Sequence, residues 1–366
     1  MSTVADVASL VETFAPRHLA AEGDPIGLQA GSMRRRVTRV LLALEAGPET
    51  VAETAQKGIQ MLLVHHPLFY GGVTALDEDA AKGALAAAIL QRRLAVYAAH
   101  TNLDAAPGGV ADCLADRAGL LPNRAVLDVT GREPFLKLAV FVPETHLERV
   151  RAALCRAGAG RWGEYSECTF RVKGTGGFRG SAEAAPFLGK PNAYEEVAEW
   201  RLEGRLLASD RAAVERALLK AHPYETPAYD FTRLEEGVPF GFGRVGMLAR
   251  PVRAGALARA LAKRLRAPGS QIAGEGKKRV SCLAVWSGKG APVERAVQAG
   301  AECLVTGECG HHDIESARFF GLPVIRLGHG PSERVVLAPL AKRLRKALPS
   351  VEFFVSRERG GEFVNV

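Results

Sequence analysis

No apolar run in this sequence approaches the roughly 20 residues of a membrane-spanning helix, so a helical membrane protein is excluded. The chain opens Met1-Ser2-Thr3-Val4-Ala5-Asp6, without a basic segment ahead of an apolar core, and no signal peptide is expected. None of the six cysteines (Cys113, Cys155, Cys168, Cys282, Cys303, Cys309) forms a C-x-x-C pair. Several lie in apolar runs, so buried free thiols in a cytoplasmic protein are expected rather than disulfides. Zinc-finger spacings and RNA-binding aromatic signatures are also missing. The net charge of +8 is therefore compatible with anionic substrates without marking a nucleic-acid partner. Much of that charge is arginine on solvated helix faces, as in Ala341-Lys342-Arg343-Leu344-Arg345-Lys346. The Gly-rich stretch 174–180 lacks the Gly-Lys-Ser/Thr ending of a phosphate loop and opens no helix, so a flexible hairpin is expected there.

What is present is an ordinary globular composition. Hydrophobic residues are 47% and charged residues 24% of 366, enough chain for two or three domains. The stretch the rest is organised around is Met61-Leu62-Leu63-Val64-His65-His66-Pro67. Its apolar run reads as a strand buried on both faces. Pro67 cannot donate to a ladder and pushes His66 toward an extended backbone, so both imidazoles belong at the carboxyl end of that strand. In open α/β sheets ligands bind at that end. Taken alone, the pair reads equally well as hydrogen-bonded structural histidines.

Around this strand the pattern alternates. A helix is expected over 3–14, a strand over 37–45, a helix from Pro48 to a glycine cap at Gly58, a helix over 79–93 and a strand over 94–99. Alternation of this kind argues a mainly parallel sheet with helices on both faces. From Arg132 the texture changes to strand 135–142, helix 144–157, strand 197–208, helix 210–221 and strand 227–233. That β-α-β-β-α-β order is ferredoxin-like, and 133–236 reads as an inserted α+β domain between core halves 1–132 and 237–366. The α/β texture returns with strands at 244–249, 280–286, 303–306 and 322–327 and helices at 253–266, 291–299, 312–319 and 333–347.

The two flanking segments echo each other. Residues 52–64 align with 294–306, each a helix, a glycine cap and a buried strand. Val96-Tyr97-Ala98-Ala99-His100-x-x-x-Asp104 matches Ile325-Arg326-Leu327-Gly328-His329-x-x-x-Glu333. A histidine and a carboxylate four apart face the same way if the chain turns helical after the strand. Two such units related by a pseudo-twofold would gather ligands from both halves. Imidazole with carboxylate and no thiolate suits Zn, Fe, Mn, Ni or Co. Five candidate ligands, His65, His66, Asp104, His329 and Glu333, are too many for one tetrahedral ion. They fit a two-metal site, in which a carboxylate spans ions about 3.5–4 Å apart.

His65-His66-Pro67-Leu68-Phe69, His100-Thr-Asn-Leu-Asp104 followed by Gly108-Gly109, and Gly328-His329-x-x-x-Glu333 resemble the motifs of the NIF3-like family (DUF34, also called GTP cyclohydrolase 1 type 2 homologues). Gly27-Leu28-Gln29 and the turn from Gly307-Glu308 to His312 match as well. His222-Pro223-Tyr224-Glu225-x-Pro227-Ala228-Tyr229 resembles the PII-like, CutA-like insert of longer bacterial members. The resemblance covers nearly the whole chain. It implies an α/β core of two pseudo-symmetric halves, a dinuclear centre of two divalent ions per chain, and a toroidal homohexamer. By position it implies one ion on His66 and Asp104, the other on His65 and His329, Glu333 bridging, and His100 beside the centre. One departure is Gly330-Pro331-Ser332: the family's hydroxyl is kept but its aromatic residue is lost, so a more open pocket wall is expected.

The function so implied is a metal-dependent hydrolase on an unidentified small molecule, GTP cyclohydrolase activity being what the family label suggests. His100 or Glu308 would carry protons. The alternative is a non-enzymatic metal-binding, metal-delivery or regulatory ring. His311-His312-Asp313 reads either as a proton carrier or as a first helical turn with Asp313 on the dipole. His222 and Glu225 read as a hydrogen-bonded turn ahead of a small-ligand site.

Overall fold

Local chemistry opens the chain as a capping box. The Thr3 hydroxyl accepts from the Asp6 amide, the Asp6 carboxylate accepts from the Thr3 amide, and the helix Val4–Phe14 follows. The structure is a computed structural model describing residues 2–357. It contains strands β1 Gly27–Ala30, β2 Arg39–Ala43, β3 Met61–Val64, β4 Ala95–Ala98, β5 Ala125–Pro143, β6 Thr169–Arg179, β7 Tyr194–Leu207, β8 Tyr229–Arg253, β9 Gln271–Ala273, β10 Arg279–Trp286, β11 Cys303–Thr306, β12 Val324–Arg326 and β13 Glu352–Val355. One compact unit ends at Gly131 and resumes at Phe240; the other is Arg132–Pro239. The fold is mixed α/β with two sheets.

In the first unit one sheet runs β1-β4-β3-β2-β13, parallel except for β1. The other carries β10, β11 and β12 in parallel, with β8 and β9 antiparallel on either side. The order β1-β4-β3-β2 is thus repeated as β9-β12-β11-β10, with an antiparallel strand first each time. The sequence echo lies at equivalent places in the two. Helix Pro48–Lys57 ends at Gly58 (φ 61°) ahead of β3, and helix Val293–Gln298 is followed by Gly300 (φ 78°) ahead of β11. Left-handed φ angles of this kind favour glycine, which has no Cβ to clash. Strands β3, β4 and β11 are buried throughout, as their unbroken apolar runs require. Core side chains include Leu42, Leu63, Leu283, Val305 and Ile325 in one cluster and Leu41, Leu62 and Val96 on the opposite face.

The second unit follows the order strand, helix Leu147–Arg156, β6, β7, helix Arg211–Ala221, strand. β7 pairs antiparallel with both β5 and β6, and the helices bury Val150, Leu154, Val214 and Leu218 against Leu138, Val140, Leu202 and Leu206. The Gly-rich stretch is not a loose hairpin loop. Residues up to Arg179 are an ordered arm of the β6–β7 hairpin, with Gly176 and Gly177 opposite Val197 and Glu196. A Cβ at Gly177 would lie 2.4 Å from the Tyr194 hydroxyl, so glycine there reflects crowding, not flexibility. The short strands β1, β9 and β13 carry too few residues for a period to register.

Candidate metal centre

β3 ends in His65 and His66, each held by its backbone amide to the neighbouring strand's end (Ala43 and Leu44 carbonyls, 3.1 and 2.8 Å). β4 ends in His100, and a one-turn helix, Thr101–Ala105, carries Asp104. In the second half β12 leads through Gly328 (φ 95°) into the short helix His329–Glu333. Both His-x-x-x-carboxylate segments therefore turn helical after their strand. The two halves bring His65, His66, Asp104, His329 and Glu333 into one place.

Glu333 is 4% exposed and its carboxylate faces three imidazoles. Its Oε2 lies 2.9 Å from His66 Nε2, and its Oε1 lies 3.3 Å from His329 Nε2 and 3.9 Å from His65 Nε2. Asp104 Oδ1 stands 3.6 Å from His65 Nε2. A Cβ on Gly288 (φ 66°) would sit 2.3 Å from Glu333 Oε1, so a bare glycine makes room for this carboxylate. Ser332, fully buried, donates to the His329 carbonyl (2.7 Å) and accepts from the Gly288 amide (2.9 Å), fixing the turn.

The other ring nitrogens point outward to fixed partners. His65 Nδ1 donates to the Ala99 carbonyl (2.9 Å), His66 Nδ1 to Glu45 (3.3 Å) and His100 Nδ1 to Asp24 (2.9 Å), while His329 Nδ1 lies 3.3 Å from Glu308. Asp24 also accepts from the Thr101 amide (3.0 Å) and hydroxyl. Asp24, Glu45, Gly288 and Ser287, whose hydroxyl donates to Asp104 Oδ1 (3.4 Å), were not foreseen in the sequence. Each lies in a loop far along the chain from its partner, and no local pattern marks it. Glu308, a candidate proton carrier, lies against the outer face of His329. His311 and His312 are exposed at the start of helix His311–Phe319, where Asp313 accepts from the Gly310 amide (2.7 Å). His222 is buried in a turn, its Nε2 donating to the Phe141 carbonyl and its Nδ1 accepting from the Tyr224 amide.

Electrostatics separate the two adjacent histidines. Burial drives the His65 imidazolium down to about 4, so this ring is neutral. Burial also opposes a charge on His66, but hydrogen bonds to Glu333 and Glu45 outweigh it and push it up to about 10. Burial and the neighbouring Glu333 charge raise Asp104 well above the usual carboxylate range. Burial works the same way on Glu333, yet the His329 and His66 contacts hold it below that range. Carboxylates pushed apart in this way within one cleft mark a functional site.

The donor set fits divalent metal. His65 Nε2 is buried with no hydrogen-bond partner among the described residues, an expensive arrangement for a polar atom unless something else satisfies it. His66, His329 and Glu333 offer ligand atoms within 4.8 Å of one another, as do His65, His66 and His100. Histidines whose second nitrogen is tied to a carboxylate or carbonyl are the usual first ligands of a metal. Asp104 stands against His65, and His66 groups with His329. Glu333 turns Oε1 to both His329 and His65 and Oε2 to His66.

The centre opens into a cavity of about 1080 Å³. Tyr70, Phe242 and Trp286 line it with rings, and Lys289 and Arg326 with positive charge.

Residues 2–360 match the family model described as Duf34/NIF3 (NGG1p interacting factor 3). A relative from Halalkalibacterium halodurans named GTP cyclohydrolase 1 type 2 homolog is 36% identical over 349 residues, covering 95% of this chain and 93% of the relative. A Mycobacterium tuberculosis relative of the same name is 36% identical over 335 residues, 90% of this chain and 88% of its own. Among solved structures, a Bacillus cereus protein related to NIF3 is similar with a TM-score of 0.89 and 36% identity, covering 100% of this chain and 99% of that one.

Proposed function

This chain belongs to the Duf34/NIF3 family, and from that premise we propose that its centre holds two divalent ions and serves a metal-dependent hydrolase. The observation that carries the reading is the buried Glu333 carboxylate facing three imidazoles whose outer nitrogens are all fixed. His66 and Asp104 would hold one ion, His65 and His329 the other, with Glu333 shared: its Oε1 faces His65 and His329 and its Oε2 faces His66. When bound, the ions supply Lewis acidity and make water a nucleophile near neutral pH.

The chain's own residues do the rest. Glu45 and Glu308 orient His66 and His329. Asp24 orients His100, leaving that ring beside the centre as a proton carrier. Glu308 is retained as a second candidate proton carrier, because it is about half exposed at the cavity wall. Tyr70 and Trp286 would offer ring surface to a flat substrate, and Lys289 and Arg326 would meet its negative charge. A nucleotide suits that lining, in keeping with the relatives' name, GTP cyclohydrolase 1 type 2 homolog. We further propose that 133–236 is an inserted PII/CutA-like domain and that six chains assemble as a ring in the cytoplasm.

The test is elemental analysis beside a substrate screen. Wild type is expected to carry two divalent ions per chain, and Glu333→Ala to lose more metal than His65→Ala, because it removes the shared ligand. His100→Ala is expected to keep the metal and lose turnover by about a hundredfold or more. Full metal content in Glu333→Ala removes it from the centre. Metal-loaded wild type that turns over no nucleotide, phosphoester or amide moves the reading to metal delivery or regulation by a ring.

A further inference from the structure

The second unit has a cavity of its own, of about 380 Å³, within the size range of small-molecule sites. β6, the segment 180–188 and the turn after helix Arg211–Ala221 wall it in. Phe178, Phe187 and Tyr224 supply rings, with the Phe187 and Tyr224 centroids 6.1 Å apart and tilted by 42°. The charged groups in the lining are Glu199 and Glu225; no lysine, arginine or histidine is among them. In a chain of net charge +8 that is a selective arrangement.

Glu199 is 8% exposed. It can point where it does because β6 is glycine there: a Cβ on Gly176 would stand 2.1 Å from Glu199 Oε2. The Tyr224 hydroxyl is buried against it: burial and the neighbouring Glu199 carboxylate raise this phenol above its ordinary range, and it makes no hydrogen bond of good geometry among the described residues. Glu225 accepts from the Ala185 amide (3.2 Å) and so ties the 180–188 segment across the opening. A buried hydroxyl without a well-formed hydrogen bond, set beside a buried carboxylate, costs stability unless a ligand completes the pair. An organic cation completes both: its charge pairs with the carboxylate, and ring faces attract it.

We propose that this cavity binds a small flat organic cation, an aromatic or heteroaromatic amine or amidine. Its charged group sits on Glu199 and Tyr224, and its ring lies against Phe187 and Phe178. The same lining rejects anions. The site is built entirely within the second unit and does not depend on the metal centre.

Benzamidine titrated calorimetrically into the full-length protein tests this, with benzamide and benzoate as neutral and anionic molecules of the same shape. Saturable binding of one benzamidine per chain is expected, with benzamide and benzoate at least about tenfold weaker. Glu199→Gln keeps the shape and is expected to weaken benzamidine by about tenfold or more. Leu188→Trp, at a residue 37% exposed and so tolerant of change, is expected to obstruct the cavity and abolish binding even if Glu199→Gln misfolds. Metal content should be the same in all three proteins. No saturable benzamidine binding at millimolar concentration overturns the proposal. So does benzoate binding equally well, or unchanged binding in folded Leu188→Trp.

Discussion

Arg244 carries a guanidinium into the first unit's interior, where it is 5% exposed. It pays for its desolvation with a complete set of partners: Asp112 Oδ1 and Oδ2 at 2.9 and 3.1 Å, and the Gly241 and Gly243 carbonyls at 3.0 and 2.8 Å. Asp112 also accepts from the Gly108 amide (2.8 Å) and Arg124 Nε (2.9 Å). Burial raises the Asp112 carboxyl, but Arg244 outweighs it and the folded value is depressed. A depressed carboxylate contributes stability that is fully present above the unfolded value of about 3.9 and is lost as pH falls through the folded one. Urea unfolding should therefore show wild type losing stability below about pH 4, with this pair as one contributor. Arg244→Met strands a buried carboxylate and should cost about 3–5 kcal/mol at pH 7, with a shallower acid dependence. A loss below about 1 kcal/mol would mean that Arg124 and Gly108 suffice for Asp112. The candidate metal centre shows the same rule at residue scale: the Glu333 carboxylate is tolerable inside because His65 and His66 from one half and His329 from the other converge on it.

At the scale of the element, the repeated unit is helix, glycine and strand. Gly58 sits at φ 61° with its amide donating to the Thr54 carbonyl, and an added Cβ would meet nothing nearer than Arg39 Nη1 at 3.7 Å. Gly300, at φ 78°, has open space around its Cβ position. Gly58→Ala and Gly300→Ala should therefore cost backbone strain alone, about 1–2 kcal/mol each in thermal or denaturant unfolding, with metal content unchanged. Loss of more than about 3 kcal/mol would point to a packing role that the surrounding space denies. These elements are legible in sequence because their causes are local: a proline at the helix start, a glycine at its end, an unbroken apolar run. The helical turns Thr101–Ala105 and His329–Glu333 were legible only as a condition, since five residues carry no period of their own. Strands β1, β9 and β13, three or four residues each, exist through the neighbour they pair with.

For the whole molecule, the ends on either side of the second unit meet on each side of the boundary. A Cβ on Gly131 would lie 2.4 Å from the Phe240 ring, and Arg132 donates to the Gly237 carbonyl (3.3 Å). A short Gly/Ser linker can join such ends. Replacing 133–236 with one should leave a folded core that binds metal, measured by calorimetry and elemental analysis; an insoluble or metal-free product would make the segment integral. The intact protein should scatter light as a particle of six 39.0 kDa chains, and a monomer would end the ring proposal.

The sequence by itself determined the strand-end histidines and the paired His-x-x-x-carboxylate segments, because each is a short-range pattern of residue type. It also marked the change of texture near Arg132. Only the tertiary structure decided which carboxylate stands beside which imidazole. It set Asp104 Oδ1 3.6 Å from His65 and turned Glu333 Oε1 toward His329 and His65 and Oε2 toward His66. It alone recruited Asp24, Glu45 and Gly288. Proximity between residues 76 positions apart depends on β1 pairing with β4, and between residues 267 apart on how two sheets stack their strand ends, and no local spacing encodes either.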